Sequence, residues 1–178
     1  MAERRVLSTR YLYRGRVFNL REDEVEGPHG HPMARAVVEH PGAIVLVPVD
    51  AHGNVILVRQ PRHAVGETLL ELPVGTREPN ETPEETARRE LREETGYEAA
   101  ELVPLGGFYS APGFCNEYLH LCLARGLHLV GAAPEEDEEI AVVPIPLESV
   151  PDLVRRGEVR DAKSIAGLLR ALYLEGVR

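Results

Sequence analysis

The stretch GTREPNETPEETARRELREETGY, residues 75–97, decides the fold, because it holds both ends of a helix and a one-sided array of carboxylates. Thr82, followed three residues later by Glu85, forms a capping box, and Pro83 suits a first helical turn. Gly96 is a typical residue for a helix end. We therefore predict a charged helix between Thr82 and Gly96.

Three glutamates of this helix share one face. At about 100° per residue, Glu90 and Glu94 lie about 40° apart, and Glu93 stands beside them. Their repulsion destabilises an isolated helix by a few tenths of a kcal/mol per pair, so something positive must offset it. Two interpretations remain open at this point. In one, the face is exposed to solvent and its glutamates form ion pairs with neighbouring arginines. In the other, the face is a binding site for a hard divalent cation.

The whole spacing favours the second interpretation. Gly75 is followed by Glu81 and then by the run Arg89-Glu90-Leu91-Arg92-Glu93-Glu94-Thr95-Gly96. This pattern resembles the Nudix box, G-x5-E-x7-R-E-U-x-E-E-x-G-U, where U is a bulky apolar residue. Every specified Gly, Glu and Arg matches, and Tyr97 at the last U is a mild departure. The resemblance implies an α/β/α sandwich and hydrolysis of a nucleoside diphosphate linked to another moiety.

The resemblance also implies a catalytic metal site. In the family, the residues that match Glu90, Glu93 and Glu94 bind the divalent ions, and the carbonyl that matches Val74 often adds a ligand. Mg²⁺ is the expected ion, with Mn²⁺ or another divalent ion as an alternative. Glu93 and Glu94 are also the expected catalytic carboxylates. Arg89 is expected to orient them, together with Glu81. The alternative is that Arg89 and Glu81 form a purely structural ion pair.

The expected substrate depends on residues outside the box. Pro112, within SAPGFCNE (residues 110–117), lies fifteen residues after Tyr97, as in the ADP-ribose pyrophosphatase branch, although Ala111 interrupts the usual Ser-Pro-Gly. VRQPR (58–62) and LELPVG (70–75) resemble two further motifs of that branch, with Val74 in place of Ala. The resemblance implies substrate contacts from the following residues: Arg59, Arg62, Glu71, Pro112, Gly113 and Glu117. A plain hairpin turn is the alternative for the Pro-Gly dipeptide.

An acidic loop supplies the candidate general base. PEEDEEI, residues 134–140, precedes a predicted strand, and in the branch a Glu on the corresponding loop acts as a general base or an additional metal ligand. Glu136 and Glu138 fit this role by their distance from Ile140. A solvated acidic loop is the alternative interpretation. His29 and His31 are expected to be solvated turn residues rather than ligands.

Composition limits the partners. Twenty Lys and Arg against 29 Asp and Glu give a net charge of −9, which disfavours nonspecific binding to nucleic acid or to an anionic membrane. Cys115 and Cys122 are expected to be reduced thiols, and no run is long and apolar enough for a membrane span. We expect a cytoplasmic protein.

The remaining patterns predict an α+β chain, and the resemblance implies that it forms an α/β/α sandwich with a mixed sheet. RVFNLREDEVE (16–26) and MARAVVEH (33–40) predict an N-terminal β-hairpin, and AIVLVPVD (43–50) with VILVRQPR (55–62) predicts a second hairpin around AHGN. TLLELPVG (68–75) predicts one further strand. Three strands follow at about 98–110, 115–126 and 138–146, and helical patterns follow at about 147–157 and 162–175.

We expect two regions, residues 1–40 as a dimerisation element and residues 41–178 as the Nudix domain. By analogy, the first region pairs across a homodimer and carries Arg14 or Arg16 to the partner's site.

The expected reaction is metal-dependent cleavage of ADP-ribose to AMP and ribose 5-phosphate. Another nucleoside diphosphate sugar or a dinucleotide is an alternative substrate. The third hypothesis is a Nudix fold used as a nucleotide sensor or regulator. The intact Nudix box is evidence against it.

Overall fold

The computed structural model describes residues 4–131, 139–173 and 176. The chain divides into two compact units. The first contains the chain up to Gly42 together with Tyr109–Tyr118, and the second contains Ala43–Phe108 and the chain from Leu119 onward. The predicted division near residue 40 stays a prediction.

The first unit is built on a three-stranded antiparallel sheet. Its strands, in the spatial order β1-β2-β3, are β1 Val6–Arg14, β2 Asn19–Glu26 and β3 Pro32–Glu39. The predicted N-terminal hairpin is confirmed as β2 and β3, which pair from Asn19 opposite Glu39 to Glu26 opposite Pro32. His29 and His31 are exposed in the turn between them. The sequence analysis missed β1, whose residues are all exposed and therefore show no polar-apolar alternation.

The second unit contains two sheets. A mixed sheet has the order β7-β4-β9-β8, with β4 parallel to β9 and antiparallel to β7. An antiparallel sheet has the order β10-β5-β6. The strand bounds are β4 Ala43–Pro48, β5 Asn54–Arg62, β6 Glu67–Glu71, β7 Val74–Thr76, β8 Tyr97–Tyr109, β9 Tyr118–Leu129 and β10 Ala141–Pro146.

The prediction of a hairpin around AHGN was wrong. β4 and β5 belong to different sheets and share only an isolated bridge between Val49 and Val55. Both strands are buried apolar runs, so each can find partners elsewhere, and a short loop alone does not force them to pair. The single strand predicted over 68–75 is also two strands, β6 and β7, separated by Leu72 and Pro73.

Helices cover both faces of β4. The helices are α1 Pro83–Thr95, α2 Val150–Arg155, which follows a 3₁₀ turn at Leu147–Ser149, and α3 Ala162–Tyr173. Val45 and Val47 pack in one apolar cluster with Leu168 of α3. Ile44 and Leu46, on the opposite face, pack with Leu91 of α1. This arrangement is the α/β/α sandwich that the resemblance implied.

The helix predicted between Thr82 and Gly96 is confirmed as α1. The Thr82 hydroxyl accepts from the Glu85 N–H, and the Glu85 carboxylate accepts from the Thr82 N–H at 2.8 Å. Gly96 ends the helix in the left-handed conformation, with φ of 75°. Its N–H donates to the Arg92 carbonyl. Among the described helices, none is both long and apolar enough to cross a bilayer.

Candidate active site

Arg89 lies at the centre of the carboxylates of α1. Its Nε and Nη2 donate to the two oxygens of Glu81, each at 2.9 Å. Its Nη1 donates to Glu90 Oε1 at 2.6 Å and to Glu93 Oε2 at 3.1 Å. Nη2 also donates to the Thr76 carbonyl at 3.2 Å. One guanidinium therefore links three carboxylates to the strand that carries the box glycine.

The ionisation of Glu81 depends on this guanidinium. The hydrogen bonds from Arg89 lower the pKa of Glu81 to about 2, against an opposing effect of burial, and N–H and O–H donation from Glu78 and Thr86 adds to the lowering. The carboxylates in turn raise the pKa of Arg89, with Glu81 as the main contributor. Both partners are consequently charged throughout the neutral range.

Gly75 allows the Glu90 side chain to pack directly against β7. A Cβ at Gly75 would lie 1.7 Å from Glu90 Cδ and 1.9 Å from Glu90 Cγ. No other residue can occupy this position unless Glu90 moves. Glu94 is fixed at the same strand, because its Oε2 accepts from the Val74 N–H at 3.0 Å and the residue is only 4% exposed. β7 therefore sets the positions of two of the three carboxylates.

The donor chemistry of this face suits a divalent cation. Carboxylate and backbone carbonyl oxygens are the ligands that Mg²⁺ and Mn²⁺ prefer, and the space above Gly75 is what brings Glu90 next to the strand that carries Val74. Among the described residues, no three His, Cys, Asp or Glu side chains are already arranged as a metal-binding group. Glu90 and Glu93 instead contact Arg89. An incoming ion would replace that contact on both carboxylates.

A pocket lies beside α1. Its volume is about 490 Å³, and it is lined by Arg88, Arg89, Arg92, Glu93, Glu98 and Ala99. Arg88 is tied to Glu84 at 2.8 Å, whereas Arg92 approaches Glu98 only to 4.0 Å. The guanidiniums give an acidic protein a local positive surface next to its carboxylate face.

A second cluster of charges joins β5, β6 and the start of α3. Arg62 donates through Nε and Nη2 to the two oxygens of Glu71, at 2.9 and 2.8 Å. Lys163 Nζ lies 2.6 Å from Glu71 Oε2 and 2.9 Å from Asp161 Oδ1. Burial raises the pKa of Glu71, but the hydrogen bonds and charges of Arg62 and Lys163 outweigh it, so the net pKa is lowered. Glu71 is therefore an ionised carboxylate inside the protein.

The first unit holds the other candidate substrate residues. Pro112 and Gly113 form an exposed turn, as the alternative interpretation of this dipeptide also predicted. The Glu117 carboxylate lies 3.4 Å from Nδ1 of His40, and the His40 N–H donates to Asn116 Oδ1 at 2.8 Å. The sequence analysis had not selected His40, whose only signal was its position at the end of the second predicted strand.

Comparison with known proteins identifies the family. The profile of the NUDIX domain matches residues 38–168. The chain belongs to the Nudix family. A second profile, the nucleoside diphosphate sugar hydrolase N-terminal domain, matches residues 5–38.

Two similar relatives carry the same name, ADP-ribose pyrophosphatase. The chain is 39% identical to the protein from Bacillus subtilis, over 91% of this chain and 89% of the relative. It is 40% identical to the protein from Mycobacterium tuberculosis, over 92% of this chain and 80% of the relative. A crystal structure titled as an ADP compounds hydrolase matches 99% of this chain and 96% of that chain with a TM-score of 0.85 at 24% identity, which supports the fold alone.

The structure places the other predicted residues of this Nudix protein as follows. Arg59 is exposed on β5. Glu136 and Glu138, the candidate general bases, lie outside the described residues. Cys115 and Cys122 are both free thiols, as predicted. Catalytic, substrate and metal roles for individual residues of the Nudix box and its surroundings stay predictions.

Sequence reasoning missed the α3 end of the second charge cluster. This end consists of Asp161, Lys163 and Ser164, which are far from the Nudix box in sequence. The sequence analysis predicted only that a helix begins near these residues. The signal that pointed to them was weak: Asp161 stands where an N-cap is expected, and Lys163 is a cation in a first helical turn, where a cation is unfavourable. An unfavourable placement of this kind can indicate a tertiary partner, which here is Glu71.

Proposed function

We propose that this protein hydrolyses ADP-ribose to AMP and ribose 5-phosphate with the help of a divalent cation, Mg²⁺ in the first place. The observation that carries the proposal is the carboxylate face of α1, with Glu90 packed against Gly75 and Glu94 bonded to Val74. Relatives named ADP-ribose pyrophosphatase, similar over nearly the whole chain, support the choice of substrate. Mg²⁺ and a cytoplasmic location stay predictions.

The metal would be held by Glu90, Glu93, Glu94 and the Val74 carbonyl. When bound, a divalent ion neutralises charge on phosphate oxygens and lowers the pKa of a coordinated water. The protein's own contribution is orientation. Arg89 holds the carboxylates of the helix together, and the hydrogen bond from the Val74 N–H fixes Glu94.

The reaction consumes one water. Its oxygen bonds to a phosphorus of the diphosphate, and the bond from that phosphorus to the bridging oxygen breaks. The proton that the water loses passes to a base, for which we propose Glu136 or Glu138. A carboxylate on a loop can approach such a water once the substrate is in place, which is a common gating step.

Substrate recognition is proposed for the residues outside the box. Arg62 is 35% exposed and its planar fork suits a phosphate oxygen, while Arg59 is exposed on the same strand. Glu117 would accept from ribose hydroxyls, next to the exposed turn at Pro112 and Gly113. Glu71 is 1% exposed, so it supports Arg62 and does not itself reach a ligand.

A homodimer built through the N-terminal strands is part of the proposal. Val6, Leu7, Leu12 and Tyr13 are each at least 43% exposed on β1, which is a large apolar area for a surface strand. Arg14, whose guanidinium lies 3.6 Å from the centre of the Tyr11 ring, or Arg16 would then serve the partner's site. Light scattering after size exclusion should give twice 19.7 kDa. A monomer mass for the unsubstituted protein would contradict the dimer.

A substrate panel tests the function. Purified protein is incubated with ADP-ribose, another ADP-sugar, a GDP-sugar and a dinucleotide, with Mg²⁺ or with Mn²⁺, and products are identified by mass. We expect AMP and ribose 5-phosphate from ADP-ribose, with one solvent oxygen in one of them, and no turnover after chelation. If the unsubstituted protein hydrolysed ADP-ribose no faster than the Glu94→Gln variant, the proposal would be contradicted. Tight nucleotide binding with negligible turnover would instead favour the sensor alternative.

A further inference from the structure

The Arg62 guanidinium is held in place by the buried carboxylate of Glu71. Glu71 is 1% exposed and accepts two hydrogen bonds from Arg62, at 2.9 and 2.8 Å. These bonds occupy two of the five N–H donors of the guanidinium, and the other three have no hydrogen bond to any residue that the structure describes. Because a bidentate pair fixes the plane of the guanidinium, Glu71 sets the direction in which those three donors point.

Arg62 interacts electrostatically with Glu94, one of the three glutamates of the carboxylate face of α1. The charges of Glu94 and Asp161 raise the pKa of Arg62, after the larger effects of the Glu71 hydrogen bond and of burial. Arg62 is bonded to Glu71, which stands three residues before Val74, and the Val74 N–H donates to Glu94 Oε2 at 3.0 Å. The Arg62 fork therefore lies on a segment that leads directly to the carboxylate face.

Glu71 is fixed in turn by the first turn of α3. Lys163 Nζ contacts Glu71 at 2.6 Å and Asp161 at 2.9 Å. The second oxygen of Asp161 accepts from the Ser164 N–H at 3.0 Å and from its hydroxyl at 2.6 Å. Lys163 is 18% exposed and Asp161 16%. The Asp161 carboxylate, which is bonded to Ser164 of α3, therefore fixes the position of the Lys163 ammonium.

The backbone after Glu71 is held by the same helix. The Leu72 N–H donates to Ser164 Oγ at 2.8 Å, and the Pro73 carbonyl accepts from the Leu46 N–H at 2.9 Å. Val74 follows, with its N–H on Glu94. Every residue from Glu71 to Val74 therefore has a fixed partner, and two of these partners come from α3.

We propose that Lys163 is a positioning residue for diphosphate binding, acting through Glu71 on the Arg62 guanidinium. The proposal rests on the proposed function for the identity of the ligand, but not for the arrangement of Arg62 itself. Lys163 does not touch the substrate. It holds Glu71 in one orientation, and Glu71 fixes the plane of the Arg62 guanidinium and so the direction of its remaining donors.

Removing Lys163 should loosen this arrangement. In Lys163→Met, a buried carboxylate keeps one cation instead of two, and loss of one partner from a buried ionic group is strongly unfavourable unless the group moves. Glu71 and Arg62 are then free to shift together toward solvent. Residues that share one salt-bridge network are energetically coupled, so we expect a loss of affinity of about tenfold.

The first readout concerns Arg62 alone and needs no ligand. In ¹⁵N NMR spectra, the Arg62 Nε–H signal, assigned through its loss in Arg62→Lys, should exchange slowly in the unsubstituted protein because Glu71 holds it. In Lys163→Met it should broaden or exchange faster, and Lys163→Arg should restore it. Arg160→Met, which removes an equal charge from an exposed ion pair with Glu67, is the matched control and should leave the signal unchanged.

The second readout is a double-mutant cycle on ligand binding. Calorimetry measures the affinity for the α,β-methylene analogue of ADP-ribose, which cannot be cleaved, with Mg²⁺ present. Lys163→Met should weaken binding in the unsubstituted protein but add little in the Arg62→Lys background, because Lys163 acts through Arg62. Arg62→Lys retains a cation for Glu71, so both backgrounds should fold. Where Lys163→Met does not fold, Lys163→Gln, which still donates a hydrogen bond, takes its place.

The outcomes separate the two proposals. An unchanged Arg62 signal in Lys163→Met, or full additivity in the cycle, overturns the positioning role. Failure of the unsubstituted protein to bind the analogue counts against the proposed function, while the NMR readout still decides whether Lys163 positions Arg62.

Discussion

The close contact between Gly75 and Glu90 predicts that Gly75→Ala disables the proposed metal site without unfolding the protein. The added Cβ would lie 1.7 Å from Glu90 Cδ, whereas two carbon atoms in contact need about 3.5 to 4.0 Å. The Glu90 carboxylate must therefore move by about 2 Å. Since metal-ligand distances are kept within about 0.2 Å, this movement removes Glu90 from a shared ion.

The two consequences of Gly75→Ala are comparable in free energy, but a domain with about 5 to 15 kcal/mol of stability remains folded after the first. Moving the Glu90 side chain also breaks its 2.6 Å contact with Arg89, and overpacking of this kind lowers the free energy of unfolding by about 1 to 3 kcal/mol. Removing a residue that only hydrogen-bonds to a metal ligand weakens metal binding or activity by about 10- to 100-fold. Displacing Glu90, a proposed ligand itself, should therefore weaken metal binding by at least about 100-fold. The protein should fold and lose its metal response.

The assay titrates Mg²⁺ at saturating ADP-ribose and records the half-saturating metal concentration and the maximal rate, with urea denaturation in parallel. Thr76→Ala is the control, because that side chain is exposed on the same strand and the substitution keeps the carbonyl that accepts from Arg89. An unchanged half-saturating concentration in Gly75→Ala would refute the argument that the glycine places Glu90 for the metal.

Three further predictions concern stability, each measured by urea denaturation. Ser164→Ala leaves the buried Leu72 N–H without its acceptor and should lower the free energy of unfolding by about 1 to 3 kcal/mol. Glu81, whose pKa Arg89 lowers from 4.5 to about 2, contributes stability above pH 4.5 that is lost as pH falls toward 2. Glu81→Gln should therefore be less stable at pH 6 and show a shallower acid slope. Thr82→Ala removes the α1 cap and should lower stability by about 0.5 to 2 kcal/mol, whereas Thr82→Ser should retain most of it.

The parts of this protein that the sequence predicted well are those that local chemistry determines. The start of α1 at Thr82 and its end at Gly96 depend on side chain and backbone within a few residues, and the structure has both. The box spacing likewise places Glu90, Glu93 and Glu94 on one face by helix geometry alone. No tertiary information was needed for either inference.

The parts that failed depend on choices between distant partners. β4 could pair with β5 by its sequence, but it pairs with β7 and β9, and nothing in AIVLVP distinguishes these partners. β1 has no alternation because both its faces are exposed in the described chain. Lys163 contacts Glu71 across 92 positions of sequence, which no local pattern reports. Sequence identified the residues of the carboxylate face but not the residues that hold its surroundings in place.

Arg89 explains how an acidic helix face can be stable without a metal and still be able to release its carboxylates to the proposed divalent ion. The guanidinium makes two hydrogen bonds to Glu81 at 2.9 Å, on the side opposite its contacts with Glu90 and Glu93. The Glu81 pair does not depend on those contacts, so a divalent ion can take Glu90 and Glu93 while Arg89 stays in place. A lysine at this position would have one ammonium centre and no planar fork, and so it could not serve Glu81 and the other two carboxylates together. The arginine of the box is therefore required by geometry as well as by charge.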